Sequence, residues 1–116
     1  MRIPFLGNRD RADLWIEVAS GTDVGLVRNR NEDNLLCLSC DETPACVDVV
    51  MAVADGMGGH IDGDVASQMA VDAIKRLVVE RLSGQESHLV EWEALLDRIL
   101  QDSNLEIHEE SVARKQ

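Results

Sequence analysis

The spacing of apolar and polar residues changes along this chain, and each change predicts a different element. From Leu14 to Ser20 the two kinds alternate, with Leu14, Ile16 and Val18 on one side and Trp15 and Glu17 on the other, as in a half-buried strand. Gly21 to Gly25 then turns the chain. Asn34 to Cys40 reads as a second strand, Asp41 to Pro44 as a turn, and Val47 to Ala54 as a third strand. The third is apolar on both faces: Val47, Val49, Met51 and Val53 on one, Val50, Ala52 and Ala54 on the other. Such a strand is expected to be central in its sheet and covered on both sides. The connection between strands two and three is short, which predicts an antiparallel hairpin. Residue 33, just before one strand, would then come near residue 55, just after the other.

Beyond Gly63 the period lengthens. Apolar residues recur at 65, 66, 69, 70, 73, 74, 77, 78 and 82, a helical stripe whose start Asp62 or Asp64 can cap. Ser83-Gly84-Gln85 breaks it, and a second helical pattern runs from Leu89 to about Val112 through Trp92, Leu95, Leu96, Ile99, Leu100 and Ile107. Strands followed by two long helices place the chain in the α+β class. Residues 1–12 are mixed and basic and read as a loosely held lead-in, leaving 13–116 as the folded part.

With 116 residues the chain is about one small domain, long enough for a single core and short for an enzyme with a multi-strand active site. Twenty-two acidic against eleven basic residues give a net charge of −11, which argues against nucleic acid or an anionic membrane as partner. No apolar run approaches a membrane span and Met1 to Arg11 lacks the apolar core of a signal peptide, so a cytoplasmic location is expected. The three cysteines agree with a reducing compartment. Cys37 and Cys40 form a C-x-x-C, yet residues three apart on a strand point to opposite faces and no second Cys or His pair accompanies them. They read as ordinary buried thiols, and Cys46 as a thiol at a turn or strand edge.

The residues with chemical potential cluster at the two ends of the predicted hairpin. Asp55 ends a buried strand and opens Val53-Ala-Asp-Gly-Met-Gly-Gly-His60, where Gly56 lets a cation approach its carbonyl and Gly58 and Gly59 permit a tight turn. The plain alternative is a strand-to-helix turn carrying a solvated aspartate. Glu32-Asp33 can equally be a solvated turn. Three carboxylates brought to one place repel each other unless cations sit among them, and oxygen-only ligands favour Mg²⁺ or Mn²⁺ over zinc. Arg28 is either their salt-bridge partner or a fork for phosphate. Two metals could clamp a phosphate and activate a shared water at neutral pH. His60 reads as a proton donor or a loop histidine with a local hydrogen bond; His88 and His108 fall in helical segments. No Ser-His-Asp or Cys-His arrangement supports covalent catalysis.

Gly25-Leu-Val-Arg-Asn-Arg-Asn-Glu-Asp-Asn34, then Val53 to His60, then Gly63-Asp-Val-Ala-Ser67, resemble in order and spacing the first motifs of the PPM-type (protein phosphatase 2C-like) Ser/Thr phosphatases. The Met-Gly-Gly-His form is similar to the bacterial branch, and the likeness runs from about Trp15 to Val112. The resemblance implies the N-terminal half of an αββα sandwich with a binuclear Mg²⁺ or Mn²⁺ centre, hydrolysing phosphoserine and phosphothreonine by a metal-bridging water. By position, Asp55 would bridge both metals and Gly56 would offer its carbonyl. Glu32 and Asp33 would hold metal-bound waters, and Arg28 would grip the substrate phosphate. The partners implied are phosphoserine and phosphothreonine proteins and a cognate Ser/Thr kinase system. Where some members carry a general-acid histidine after the Asp-Gly pair, this chain has Met57. The family's later Asp-Gly and Asp-Asn motifs have no counterpart here, so the 116 residues are expected to be inactive without a C-terminal half. An alternative is a non-catalytic module that binds a partner, or a half-domain that needs a separately encoded C-terminal half. A nucleotide-binding fragment is disfavoured by the absence of G-x-G-x-x-G and G-x-x-x-x-G-K-[ST] motifs.

Overall fold

The computed structural model describes residues 2–4, 15–39, 42–56 and 63–114. Four strands precede two long helices in the chain: β1 (Arg2–Pro4), β2 (Trp15–Glu17), β3 (Asn34–Ser39), β4 (Val49–Ala54), α1 (Gly63–Leu82) and α2 (Trp92–Arg114). A 3₁₀ turn at Ser87–Leu89 links the helices.

β3 and β4 pair antiparallel, in a register running from Asn34 opposite Ala54 to Ser39 opposite Val49. The predicted hairpin is therefore present, with its strands two residues shorter at the start of β4 than the apolar run indicates. Period-two alternation sends Leu38 toward the helices, where it is 1% exposed, and Val50 to the edge of the main core cluster. The opposite face of β4 is open: Met51 is 63% and Val53 81% exposed. This differs from the expectation of a strand covered on both sides. The apolar residues are on both faces as the sequence shows, but α1 covers one face and no described element covers the other.

α1 lies on the hairpin and against α2. Its buried residues Gly63, Ser67, Val71, Val78 and Leu82 follow a spacing near four, with Ala73 and Leu77 widening the stripe. Leu77, Val78 and Leu82 meet Ile99 of α2 in the core, and Cys46, Val47, Ile74, Val90 and Leu95 pack around them. Burying each large aliphatic side chain here stabilises the fold by about 1.5–3 kcal/mol. At the seam's edge Arg81 pairs with Asp102 and Arg76 with Glu106. The hydrogen bond that Arg76 donates to Glu106 raises the Arg76 pKa above its ordinary value, against a smaller opposing effect of desolvation. α1 ends where Gly84 adopts φ +78°, a left-handed conformation that lets the chain leave the helix.

At the other end of the chain β1 pairs antiparallel with β2, Ile3 opposite Ile16. Part of the expected lead-in is thus a strand. A short half-buried strand needs a neighbour for its backbone groups, and β1 supplies one for β2. No helix among the described residues is long and apolar enough to cross a membrane.

Candidate active site

The site forms where the hairpin register brings two loops together. Because Asn34 stands opposite Ala54, Asp33 precedes β3 at the same end at which Asp55 follows β4. Arg28, Glu32, Asp33, Asp55 and Gly56 all line one pocket of about 520 Å³, together with Asp23, Val24, Arg30 and Asn31. These five residues, singled out in the sequence as metal or phosphate ligands, therefore share one mouth. His60 and the Met57–Gly59 stretch, like Cys40 of the C-x-x-C, lie outside the described residues.

Asp23, Glu32, Asp33 and Asp55 set four carboxylates around the pocket against two guanidinium groups. One of those, Arg30, is engaged by Asp64 in the first turn of α1. Arg28 is exposed and makes no hydrogen bond or ion pair among the described residues, so its fork remains open toward solvent. Among the described residues the pocket is thus acidic with one uncommitted guanidinium, an arrangement that attracts cations and admits phosphate only with charge compensation.

Local hydrogen bonds give the loop before β3 its shape. Asp23 Oδ1 accepts from Gly25 N at 2.8 Å, an Asx turn that starts the approach to Arg28. Asn31 donates from Nδ2 to Thr22 Oγ1 at 2.6 Å and accepts at Oδ1 from the Asp33 N–H at 3.1 Å. Asn34 Nδ2 donates to Ser67 Oγ at 2.7 Å, and Ser67 Oγ donates to the Glu32 carbonyl at 2.5 Å. The Glu32 side chain turns toward the protein: a Cβ on Gly63 would lie 2.8 Å from its Cδ, and one on Gly56 would lie 2.8 Å from its Cβ and 2.6 Å from the Gly63 carbonyl. Gly56 is therefore required for close approach of three backbone segments.

From the sequence Thr22 carries no role, Asp64 is read only as a helix cap or within a motif, and Arg30, Asn31, Asn34 and Ser67 enter only within motifs. One signal was available for Ser67, a polar residue on the apolar stripe between Gly63 and Val71. The others act through partners nine to thirty-four residues away, which spacing does not reveal.

A family model for protein phosphatase 2C matches residues 28–116. The chain belongs to the protein phosphatase 2C family. It is 40% identical over 89 residues to the serine/threonine phosphatase stp of Listeria innocua, an alignment covering 74% of this chain and 32% of that protein. It is 39% identical over 67 residues to the serine/threonine protein phosphatase PstP of Mycobacterium tuberculosis, covering 58% of this chain and 11% of the relative. With stp of Listeria welshimeri the identity is 51% over 51 residues, 43% of this chain and 18% of that protein. The chain thus spans about a third or less of the curated relatives it matches. No solved structure matches it.

Protein phosphatase 2C enzymes use divalent metal ions, and the pocket can be tested for fit. Its donors are oxygens, the chemistry that hard cations prefer. Glu32 Oε2 is buried and has no hydrogen-bond partner among the described residues, which leaves a lone-pair-rich atom for a water or a cation. Among the described residues no three His, Cys, Asp or Glu side chains come close enough together to hold a metal ion. The described donors fit part of a hard-cation shell.

Proposed function

We propose that this chain supplies the phosphate grip and part of the cation shell of a protein serine/threonine phosphatase that hydrolyses phosphoserine and phosphothreonine. The observation that carries this reading is the meeting of Arg28 with Asp33, Asp55 and Gly56 in one pocket of a protein phosphatase 2C family member. Asp55 and the Gly56 carbonyl would hold Mg²⁺ or Mn²⁺ directly, and Asp33 and Glu32 would do so through water. When bound, such cations neutralise phosphate charge and lower the pKa of water. Arg28 would bind two phosphate oxygens with its fork and orient the ester. Asp23 and the other carboxylates would repel a phosphorylated substrate in the absence of cations, which makes binding metal-dependent. Residues 13–116 would form the N-terminal part of the catalytic domain, with further ligands from a C-terminal half.

Assay with p-nitrophenyl phosphate and a phosphothreonine peptide in Mn²⁺ tests the reading. Turnover is expected when the chain is co-expressed with a family C-terminal half and is expected to vanish with Asp55→Ala. Activity unchanged in Asp55→Ala contradicts the assigned site. Robust turnover by the 116-residue chain alone, lost in Asp55→Ala, contradicts its expected inactivity.

The open face at Met51 and Val53 favours a second reading, a non-catalytic module that binds a partner through this apolar surface. This reading expects partner binding that survives Asp55→Ala and no phosphatase activity in the complex.

A further inference from the structure

Asp33 is bracketed by two residues tied to one buried hydroxyl. Ser67, 4% exposed on the hairpin-facing stripe of α1, donates from Oγ to the carbonyl of Glu32, immediately before Asp33. The same oxygen accepts from Nδ2 of Asn34, immediately after it. A hydroxyl has one proton and two lone pairs, so it can serve both partners at once. The Asp64 carbonyl, 3.1 Å from Ser67 Oγ, is the more distant acceptor and competes poorly with Glu32 at 2.5 Å. On the far side, Asn31 accepts from the Asp33 N–H and is itself held to Thr22.

Ser67 also sits one helical turn from Gly63, against which the Glu32 side chain is packed. Moving the Glu32 carbonyl would therefore move both the Asp33 backbone and the Glu32 carboxylate relative to Asp55. Neither contact brings Ser67 to the pocket lining, so it acts through its neighbours.

We infer that Ser67 is a positioning residue that sets the cation affinity of the pocket by fixing Glu32 and Asp33 opposite Asp55. The inference rests on the proposed cation-assisted phosphate site. Groups that orient ligands from behind are typically worth 10–100-fold in metal affinity, so a loss of about tenfold is expected on removing the hydroxyl.

The test is a calorimetric Mn²⁺ titration of the whole chain, with thermal unfolding followed in parallel. Ser67→Ala should weaken binding by about tenfold, and Ser67→Thr, which keeps the hydroxyl, should bind more tightly than Ser67→Ala. Asn34→Ala, which removes a partner of the hydroxyl without emptying the core, should weaken binding in the same direction and serves if Ser67→Ala does not fold. Ile99→Val, distant from the pocket, controls for general loss of stability and should leave Mn²⁺ affinity unchanged. Wild-type affinity in Ser67→Ala or, where that variant does not fold, in Asn34→Ala overturns the inference, as does equal weakening in Ile99→Val. Those results leave the cation site standing if Asp55→Asn still removes Mn²⁺ binding. A wild-type chain that binds no Mn²⁺, or whose binding ignores Asp55→Asn, overturns the cation site and this inference together.

Discussion

In the proposed function Asp55 and Arg28 have opposite electrostatic tasks within the pocket that both line, and substitutions separate them. Arg28→Ala should weaken binding of a phosphothreonine peptide in Mn²⁺ by about 1.5–3 kcal/mol, the worth of a charged hydrogen-bonded contact. Arg28→Lys should recover only part of this loss, because an ammonium cannot reproduce the fork. Isothermal titration of the peptide measures both, and full recovery by lysine would show that only charge matters. Gly56→Ala should destabilise the fold by about 1–3 kcal/mol in urea unfolding, since its Cβ would press on backbone atoms of Glu32 and Gly63 that cannot swing away. That Glu32 and Asp33 meet Asp55 and Gly56 at one end of the hairpin was legible in the sequence, because they flank two strands whose pairing follows from a short connection. Ser67 and Asn34 were not, because their importance lies in hydrogen bonds that exist only once α1 has packed on the hairpin.

The helices were the most legible elements, since long apolar stripes leave little freedom in choosing the buried face. α1 begins at Gly63, next to the stripe expected beyond it, and ends just before the predicted break at Ser83. β1 has no signature in the sequence: three residues are too few to display an alternation, and its formation depends on pairing with β2. The seam between α1 and α2 concentrates the core, with Ile99 at 2% exposure against Leu77, Val78 and Leu82. Ile99→Ala should therefore cost about 2–5 kcal/mol in urea unfolding. Asp102→Asn, which weakens a pair whose two side chains are each about a third exposed, should cost about 1 kcal/mol or less. Equal effects would mean that the seam is held by its ion pairs rather than by packing.

Across the whole molecule, two features point to what the chain needs from outside itself. Its net charge of −11 and its acidic pocket disfavour an anionic substrate unless cations intervene. Its sheet presents Met51 and Val53 openly, a surface expected to bind an apolar dye and to do so less after Val53→Ser. Dye fluorescence checks this, and no change on substitution would place the apolar surface elsewhere. The sequence indicated strand faces that are apolar on both sides, but what covers the second face depends on packing beyond the hairpin and α1. The central claim, a cation-assisted phosphate site built from Arg28 and Asp55, is tested most directly by titrating a phosphothreonine peptide into the chain calorimetrically with and without Mn²⁺. Binding should occur only with Mn²⁺, should weaken in Arg28→Ala and should be lost in Asp55→Asn. Peptide binding that is independent of Mn²⁺ and unchanged by either substitution would contradict it.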